Sequence, residues 1–312
     1  FDVASIFEID QCLSVGIAPD RLSFGHTVKK ERHIRRAFDA GVRQFAFDSI
    51  NELEKLSRAA PGAKVFCRFL TSNDGADWPL SEKFGCTPEH AVELLCSANV
   101  LGLVPAGVSF HVGSQQRDAG VWDAALSTAA KIFSDVEYHG IRLFLLNIGG
   151  GFPSRYRTPM QELCIHTAEI KKGLRGHFGN IDLTIIAEPG RYISADAGII
   201  KSEVVLISRK SRNAEKRWIY LDIGRFGGLP EVLHEAIQYR LCTPHDGGET
   251  GPVIIAGPTC DEVDVIYEAA DYALPLDLME GDIVAIQSAG AYTASYSSVG
   301  FNGFPPLTEY YI

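Results

Sequence analysis

Between Arg21 and Glu188 the chain alternates between short apolar runs and longer amphipathic segments. The short runs are rich in β-branched and aromatic residues and lie at Arg21–Phe24, Val42–Phe47, Lys64–Phe69, Gly107–Val112, Arg142–Ile148 and Asp182–Ala187. The longer segments carry apolar residues at helical spacing and lie at His33–Gly41, Asn51–Ala60, Thr87–Asn99, Val121–His139 and Met160–Phe178. Strands that alternate with helices in this way predict repeated β/α units and a parallel sheet.

The number of predicted strands points to a barrel. With the strand-like fragment Phe1–Ala4 the count is seven. A closed β/α barrel has eight strands. We therefore expect an α/β protein built on a (β/α)8 barrel, whose first strand precedes residue 1.

The pattern changes after Gly198. Strand-like segments follow without helices between them, at Ile199–Ser208, Arg217–Asp222, Val253–Ala256 and Asp282–Gln287. This arrangement is typical of an all-β domain. We predict two domains, a barrel over residues 1–197 and a C-terminal β-domain over residues 198–312.

The composition and charge exclude several classes of protein. Apolar residues make up 46% and charged residues 22% of the chain, as in ordinary globular proteins. No apolar run approaches the ~18 residues that span a bilayer, so we expect no membrane partner. The net charge of −10 is opposite in sign to that of nucleic-acid-binding proteins, but it is compatible with a small cationic substrate.

The seven cysteines are scattered and never form a C-x-x-C pair. Their odd number and irregular spacing argue against a disulfide framework and against a structural zinc site. We therefore predict a cytoplasmic protein that holds no metal.

Polar residues, glycines and one proline follow the predicted strands, at the end of a β/α barrel where active sites lie. They are Asp2, Gly25, His26, Asp48, Ser49, Arg68, His111, Ser114, Asn147, Gly149, Gly150, Gly151, Glu188, Pro189, Gly190 and Arg191. Three consecutive glycines let backbone N–H groups converge on an anion, and Arg191 can add paired donors. This combination predicts a phosphate site, the alternative being a glycine-rich turn without a ligand.

Two of these residues have competing interpretations. Glu188 is either a structural partner of Arg68 or Arg191, or the carboxylate that holds a proton on a heteroaromatic ring nitrogen. His111 is either a core histidine or a side chain that stacks flat on that ring.

Nine segments of the chain, in order, resemble the ornithine/diaminopimelate/arginine decarboxylases. They are Phe-Asp-Val-Ala-Ser at 1–5 with Glu8, Phe-Asp-Ser at 47–49, Glu-Lys-Phe-Gly at 82–85, Val-Ser-Phe-His-Val-Gly-Ser at 108–114, Gly-Gly-Gly-Phe-Pro at 149–153, Ala-Glu-Pro-Gly-Arg-Tyr at 187–192, Gly-Pro-Thr-Cys-Asp at 257–261, Gly-Ala-Tyr at 290–292 and Phe-Asn-Gly-Phe at 301–304. The family consists of pyridoxal-phosphate enzymes with an alanine-racemase-like barrel followed by a β-domain. The resemblance therefore implies this fold and this cofactor.

The resemblance also implies roles for individual residues. Glu188 would face the pyridine nitrogen and His111 would stack on the ring. The phosphate would be held by Ser114, Gly151, Gly190, Arg191 and Tyr292. The remaining cofactor contacts would come from Asp2, Arg68, Gly149, Gly150 and Pro189.

In this family two chains build each active site, so the resemblance implies a homodimer. Cys260 would reach into the partner's barrel and return a proton to Cα after carbon dioxide leaves, while Asp261 would bind the distal amine of the substrate. Lys83 and Asp264 would form a salt bridge across the dimer, where Phe301 would also lie.

Three positions depart from the family pattern. The family's Schiff-base lysine lies just upstream of the Phe-Asp-x-Ala-Ser segment, so we expect it before Phe1. His234 and Glu235 stand where ornithine decarboxylases carry Tyr-Asp. Glu235 keeps an anion for a distal ammonium but places it one methylene further in, unless it is only a surface residue. Asn147 stands where Asp is common.

The leading functional hypothesis is a decarboxylase of ornithine or lysine that releases a diamine and carbon dioxide. The alternative within the family is diaminopimelate decarboxylase, which would need a cationic grip on a distal carboxylate and Cys-Glu at 260–261. Arginine decarboxylases are disfavoured because they are typically much longer. The alternative of another class is a catalytically dead binding protein like antizyme inhibitor, which has no chemical need for Cys260, Glu188 and His111 together.

Overall fold

The computed structural model describes residues 1–179 and 181–312. Its α-helices are α1 (Ile6–Ser14), α2 (Glu31–Asp39), α3 (Ile50–Ala59), α4 (Pro88–Val100), α5 (Val121–Tyr138), α6 (Leu163–Phe178) and α7 (Gly190–Ser194). Its strands are β1 (Asp2–Val3), β2 (Ser23–Phe24), β3 (Gln44–Phe47), β4 (Lys64–Arg68), β5 (Ala76–Trp78), β6 (Val104–Ser109), β7 (Ser114–Gln116), β8 (Leu145–Asn147), β9 (Thr184–Ile186), β10 (Ile200–Ser208), β11 (Arg217–Leu221), β12 (Leu241–Cys242), β13 (Thr250–Ala256), β14 (Val265–Tyr267), β15 (Ala273–Pro275) and β16 (Ile283–Ile286).

The chain divides into two compact units. Unit 1 comprises Phe1–Gly151 and Glu162–Pro189, and unit 2 comprises Phe152–Gln161 and Gly190–Ile312. The domain boundary that the sequence analysis places after residue 197 stays a prediction. No helix among the described residues is long and apolar enough to cross a membrane.

Unit 1 is built on a parallel sheet with the strand order β1-β2-β3-β4-β6-β8-β9. Helices α1 to α5 connect these strands in turn, and α6 connects β8 to β9. Each strand therefore lies beside the next one along the chain, which is the order of a β/α barrel wall. The prediction of repeated β/α units is confirmed.

The interior of unit 1 explains why its strands are nearly continuous apolar runs. Helices cover a parallel sheet on its outer face, so strand residues are buried on both faces. Ala46, Phe66, Ala106 and Leu145 form one apolar cluster across four neighbouring strands. Position 107 requires glycine, because a Cβ there would lie 1.6 Å from the Leu145 carbonyl oxygen of the adjacent strand.

The strand register brings the functional edge of the sheet together. Arg68 pairs with Ser109, Ser109 pairs with Asn147, and Asn147 pairs with Ile186. These residues form one row across β4, β6, β8 and β9 at the C-terminal ends of the strands. Glu188 follows this row by two residues.

Unit 2 contains a second sheet, in the order β12-β16-β10-β11-β13-β14, with β15 on β13. Its ladders are antiparallel, except that β11 and β13 run parallel. The core is apolar and aromatic and includes Val204, Ile219, Tyr239, Ile255 and Tyr267. The prediction of a C-terminal β-domain is confirmed.

Candidate active site

The Glu188 carboxylate lies at the polar edge of unit 1, two residues after the end of β9. Asn147 Nδ2 donates a hydrogen bond to Glu188 Oε1 over 2.6 Å. Burial raises the pKa of Glu188, and this shift is opposed by the Asn147 hydrogen bond and by the positive charge of Arg68. Both opposing contacts favour the ionised carboxylate, which is the form that can accept a proton from a ligand.

The triple-glycine turn is fixed by contacts on both sides. Gly149 N donates to Asn147 Oδ1 over 2.9 Å, and Glu188 N donates to the Gly149 carbonyl over 2.9 Å. Gly149 has a φ of +63°, and a Cβ there would lie 2.0 Å from the Phe110 carbonyl oxygen. Only glycine fits this position, so the turn and the carboxylate are built as one piece.

The His111 imidazole lies against this turn. A Cβ on Gly150 would lie 2.8 Å from His111 Nε2, and Gly113 N donates to His111 Nδ1 over 3.1 Å. Because a backbone N–H can only donate, Nδ1 is unprotonated, and the ring proton of the neutral imidazole lies on Nε2. The backbone thus sets both the tautomer and the position of His111.

Asp2 and Arg68 complete the charged group. The Asp2 carboxyl packs on Gly25, where a Cβ would lie 2.1 Å from Oδ1. Burial and the neighbouring charge of Glu188 raise the pKa of Asp2 to about 8. Burial lowers the pKa of Arg68, against the opposing effects of the Glu188, Asp48 and Asp2 carboxylates.

An aromatic residue that the sequence analysis did not single out lies beside Arg68. The Phe84 ring lies under the Arg68 guanidinium, 5.6 Å from its carbon, and under Lys83 Nζ at 5.0 Å. His26 meets the same ring edge-on, with the centroids 5.2 Å apart. Phe84 belongs to the Glu-Lys-Phe-Gly segment at 82–85, whose sequence alone indicates no role for this ring.

The remaining residues predicted in unit 1 have simpler surroundings. Ser114 opens β7 and pairs with Trp78 of β5. Gly151 has a φ of +101°, and Pro189 is the last residue of the unit. Lys83 is exposed.

In unit 2 the Arg191 guanidinium is held by a carboxylate and a phenol. It donates to both oxygens of Glu231 over 2.7 Å and to the Tyr156 hydroxyl over 2.9 Å. The Arg191 and Glu231 side chains are each 4% exposed. The Tyr292 ring lies 4.8 Å from the guanidinium carbon. Gly190, directly before Arg191, opens α7 with open space around its Cα.

Cys260 is exposed and is oriented by one amide. Its backbone N–H and its thiol both donate to Asn302 Oδ1, over 3.0 Å and 3.3 Å. Asp261 follows it and accepts from Val263 N over 2.9 Å. Asn302, with a φ of 49°, belongs to the Phe-Asn-Gly-Phe motif, whose sequence alone does not indicate this contact with Cys260.

Asp264 is buried inside the same loop. Its carboxylate accepts from Arg225 N over 2.9 Å, from Thr259 N over 3.1 Å and from the Thr259 hydroxyl over 2.7 Å. It therefore fixes the Gly-Pro-Thr-Cys-Asp loop from within. The salt bridge between Asp264 and Lys83 of a second chain stays a prediction.

Phe301 packs on Phe226 with the ring centroids 4.5 Å apart. Both rings line a cavity of about 310 Å³ within unit 2, together with Pro258, Phe304 and Leu307. The assignment of Phe301 to a dimer interface stays a prediction.

Glu235 is already bound by its own unit. Its oxygens accept backbone N–H bonds from Glu268 over 2.6 Å, from Ala269 over 2.7 Å and from Ala270. His234 precedes it, is exposed, and shares with it a φ of 55°. The Glu235 carboxylate thus stabilises a loop, and its role toward a substrate stays a prediction.

The residues of the unit 1 edge fit a pyridine ring. Glu188 offers a carboxyl oxygen to a ring N–H, and the His111 imidazole lies beside it on the glycine turn. The turn bends at two glycines with positive φ, Gly149 and Gly151. Among the described residues, no group of three or more His, Cys, Asp or Glu side chains could hold a metal ion.

Comparisons with known proteins agree with this chemistry. The family described as "Pyridoxal-dependent decarboxylase, pyridoxal binding domain" matches residues 1–195. A lysine/ornithine decarboxylase of Selenomonas ruminantium is 34% identical over 306 residues, which are 97% of this chain and 75% of that protein.

Solved structures give the same result. A lysine/ornithine decarboxylase from Vibrio vulnificus, complexed with cadaverine, is 32% identical with a TM-score of 0.85, covering 98% of this chain and 79% of that one. An arginine decarboxylase of Paramecium bursaria Chlorella virus is 30% identical with a TM-score of 0.89, covering 100% of this chain and 83% of that one. The chain therefore belongs to the pyridoxal-phosphate-dependent amino-acid decarboxylases.

Proposed function

We propose that this protein decarboxylates a basic L-amino acid, ornithine or lysine, to the corresponding diamine. The observation that carries the proposal is the Glu188 carboxylate, fixed to the triple-glycine turn through Asn147 and flanked by Arg68. When bound, pyridoxal phosphate supplies a conjugated cationic ring that withdraws electrons from Cα as carbon dioxide leaves. Glu188 keeps that ring protonated, and His111 holds its face.

The choice of substrate rests on charge. A distal ammonium needs an anion, and Asp261 is a carboxylate beside Cys260 at the tip of a loop. Glu235 is a weaker candidate because three backbone N–H groups already bind its oxygens. A net charge of −10 also suits a cationic substrate and product.

The relatives support the same substrate class. Two structures of the Vibrio vulnificus protein are described as complexed with cadaverine and with putrescine, the diamines that follow from lysine and ornithine. Arginine enters as a further candidate, because the viral arginine decarboxylase is not much longer than this chain. Chain length therefore does not disfavour arginine as a substrate.

The remaining roles complete the proposal. The Cys260 thiol, oriented by Asn302, delivers a proton to Cα after carbon dioxide leaves. The active sites are shared in a homodimer, with Cys260 and Asp261 entering the partner's site. The cysteines, all free in the described chain, suit a reducing cytoplasm.

Release of carbon dioxide from four substrates tests the proposal. The complete protein, loaded with pyridoxal phosphate, is assayed with ornithine, lysine, arginine and diaminopimelate, and Glu188→Gln serves as the control. We expect release from ornithine or lysine and strong loss of turnover in the control. Preference for diaminopimelate would replace the substrate assignment, and no release from any substrate by a folded, cofactor-loaded protein would favour a binding protein instead.

A further inference from the structure

The Asn147 side chain at the end of β8 links the two parts of the candidate site. It is 0% exposed. Its Oδ1 accepts the Gly149 backbone N–H over 2.9 Å, and its Nδ2 donates to Glu188 Oε1 over 2.6 Å. One amide therefore contacts both the glycine turn and the carboxylate.

The orientation of this amide follows from the backbone. Gly149 N can only donate, so the atom facing it must be the amide oxygen. The amide nitrogen then faces Glu188, and since that nitrogen can only donate, Glu188 Oε1 must accept. A proton on Oε1 would face the amide hydrogen, so this contact favours the ionised carboxylate.

The contact also distinguishes the two oxygens of Glu188. Oε1 accepts from Asn147, which leaves Oε2 for the ring nitrogen of the cofactor.

We infer that Asn147 is a positioning residue that keeps Glu188 ionised and aims its second oxygen at the ring nitrogen of the cofactor. The inference rests on the proposed role of Glu188. Asn147 also accepts a hydrogen bond from Gly149 N. If Asn147 only stabilised the glycine turn, its loss would weaken binding of any ligand at the site. If it also positions Glu188, its loss should weaken most the binding of a ligand that has a ring nitrogen.

Two ligands separate these possibilities by binding alone. One is pyridoxal phosphate, and the other is its deaza analogue, in which a carbon replaces the ring nitrogen. Affinities for the complete protein are measured by equilibrium dialysis, for wild type and Asn147→Leu. The matched control is Asn99→Leu, the same chemical change at an exposed helix position.

We expect Asn147→Leu to weaken pyridoxal phosphate binding roughly tenfold more than it weakens binding of the deaza analogue, as for loss of a hydrogen bond to a charged group. Loss of the Gly149 hydrogen bond acts on both ligands alike, so the difference between them reports on the ring nitrogen. In a Glu188→Gln background, Asn147→Leu should produce no such difference. Equal weakening of both ligands, or of neither, would overturn the inference.

A measurement on wild type needs no variant to fold. At pH 7 wild type should bind pyridoxal phosphate more tightly than the deaza analogue, because only pyridoxal phosphate offers Glu188 a ring N–H. Equal affinities for the two ligands would remove the proposed role of Glu188 itself, and the inference with it.

Discussion

The ion pair between Arg191 and Glu231 allows a quantitative prediction about unit 2. Glu231→Gln keeps the size and one acceptor of the side chain but removes its charge. Both side chains are 4% exposed and both contacts are 2.7 Å long, so water cannot solvate the guanidinium that remains. Loss of one partner of a buried pair costs about 3–5 kcal/mol.

We expect the lower end of this range, about 3 kcal/mol, because the amide oxygen of glutamine still accepts one bond. The corresponding rise in the unfolding equilibrium constant is roughly two powers of ten. Tyr156→Phe is the matched control, since it removes only one hydrogen bond to the same guanidinium. It should cost about 1.5 kcal/mol.

A double variant separates the buried charge from packing. Arg191→Met combined with Glu231→Leu removes both charges and keeps much of the volume, and such replacements are often neutral. Its stability should therefore lie closer to wild type than that of Glu231→Gln.

Hydrogen exchange read by mass spectrometry over β11 and β13 reports the opening of unit 2 without requiring that the two units unfold together. A loss below about 1 kcal/mol for Glu231→Gln, the range of surface pairs, would refute the reasoning. Equal losses for the single and double variants would refute it as well.

Three further outcomes are expected. Cys260→Ala should leave cofactor affinity within about twofold but slow turnover roughly a hundredfold or divert the product. Cys164→Ala, at an exposed cysteine, should change neither the rate nor the product. Unchanged rates and products for Cys260→Ala would remove the proposed role of Cys260 as a proton donor. Asp261→Asn should raise KM for ornithine about tenfold or more without weakening cofactor binding, and equal loss of both would indicate a structural role. Burial lowers the pKa of Lys29 to about 8 from an ordinary 10.5. The free energy of unfolding of wild type, measured by denaturation at several pH values, should therefore rise relative to that of Lys29→Met between pH 8 and about pH 10, by at most ~1.4 kcal/mol per pH unit. A difference in free energy that does not change with pH would contradict this.

The fold of unit 1 was predictable because its strands and helices have different sequence patterns. The strands are buried on both faces and are therefore continuous apolar runs, whereas the helices carry apolar residues at helical spacing. Strands such as β4 and β6 are continuous apolar runs between amphipathic helices, and they were found within a few residues of their bounds. The short strands β5 and β7 were missed. Ala76–Trp78 and Ser114–Gln116 are three-residue segments without apolar alternation, and only their pairing with each other makes them strands.

The site was predictable where topology alone brings residues together. The C-terminal ends of parallel strands meet at one edge, so Arg68, His111 and Glu188 could be grouped from their positions after apolar runs. Partners from distant segments could not be found in this way. Glu231 lies 40 residues after Arg191, and no spacing rule connects them.

Asn147 shows the intermediate case. A polar residue at the end of a buried strand is a signal that the sequence contains, and its departure from the common Asp was visible. Its role was not, because the role depends on which amide atom faces Glu188, and only the Gly149 N–H decides that.

The charged groups at the unit 1 edge act differently on its two buried carboxyls. Burial and the charge of Glu188 raise the pKa of Asp2 to about 8. Burial also raises the pKa of Glu188, but the Asn147 hydrogen bond and the positive charge of Arg68 oppose that shift. Asn147 and Arg68 therefore favour the charged form of Glu188 at a site where burial alone would disfavour it.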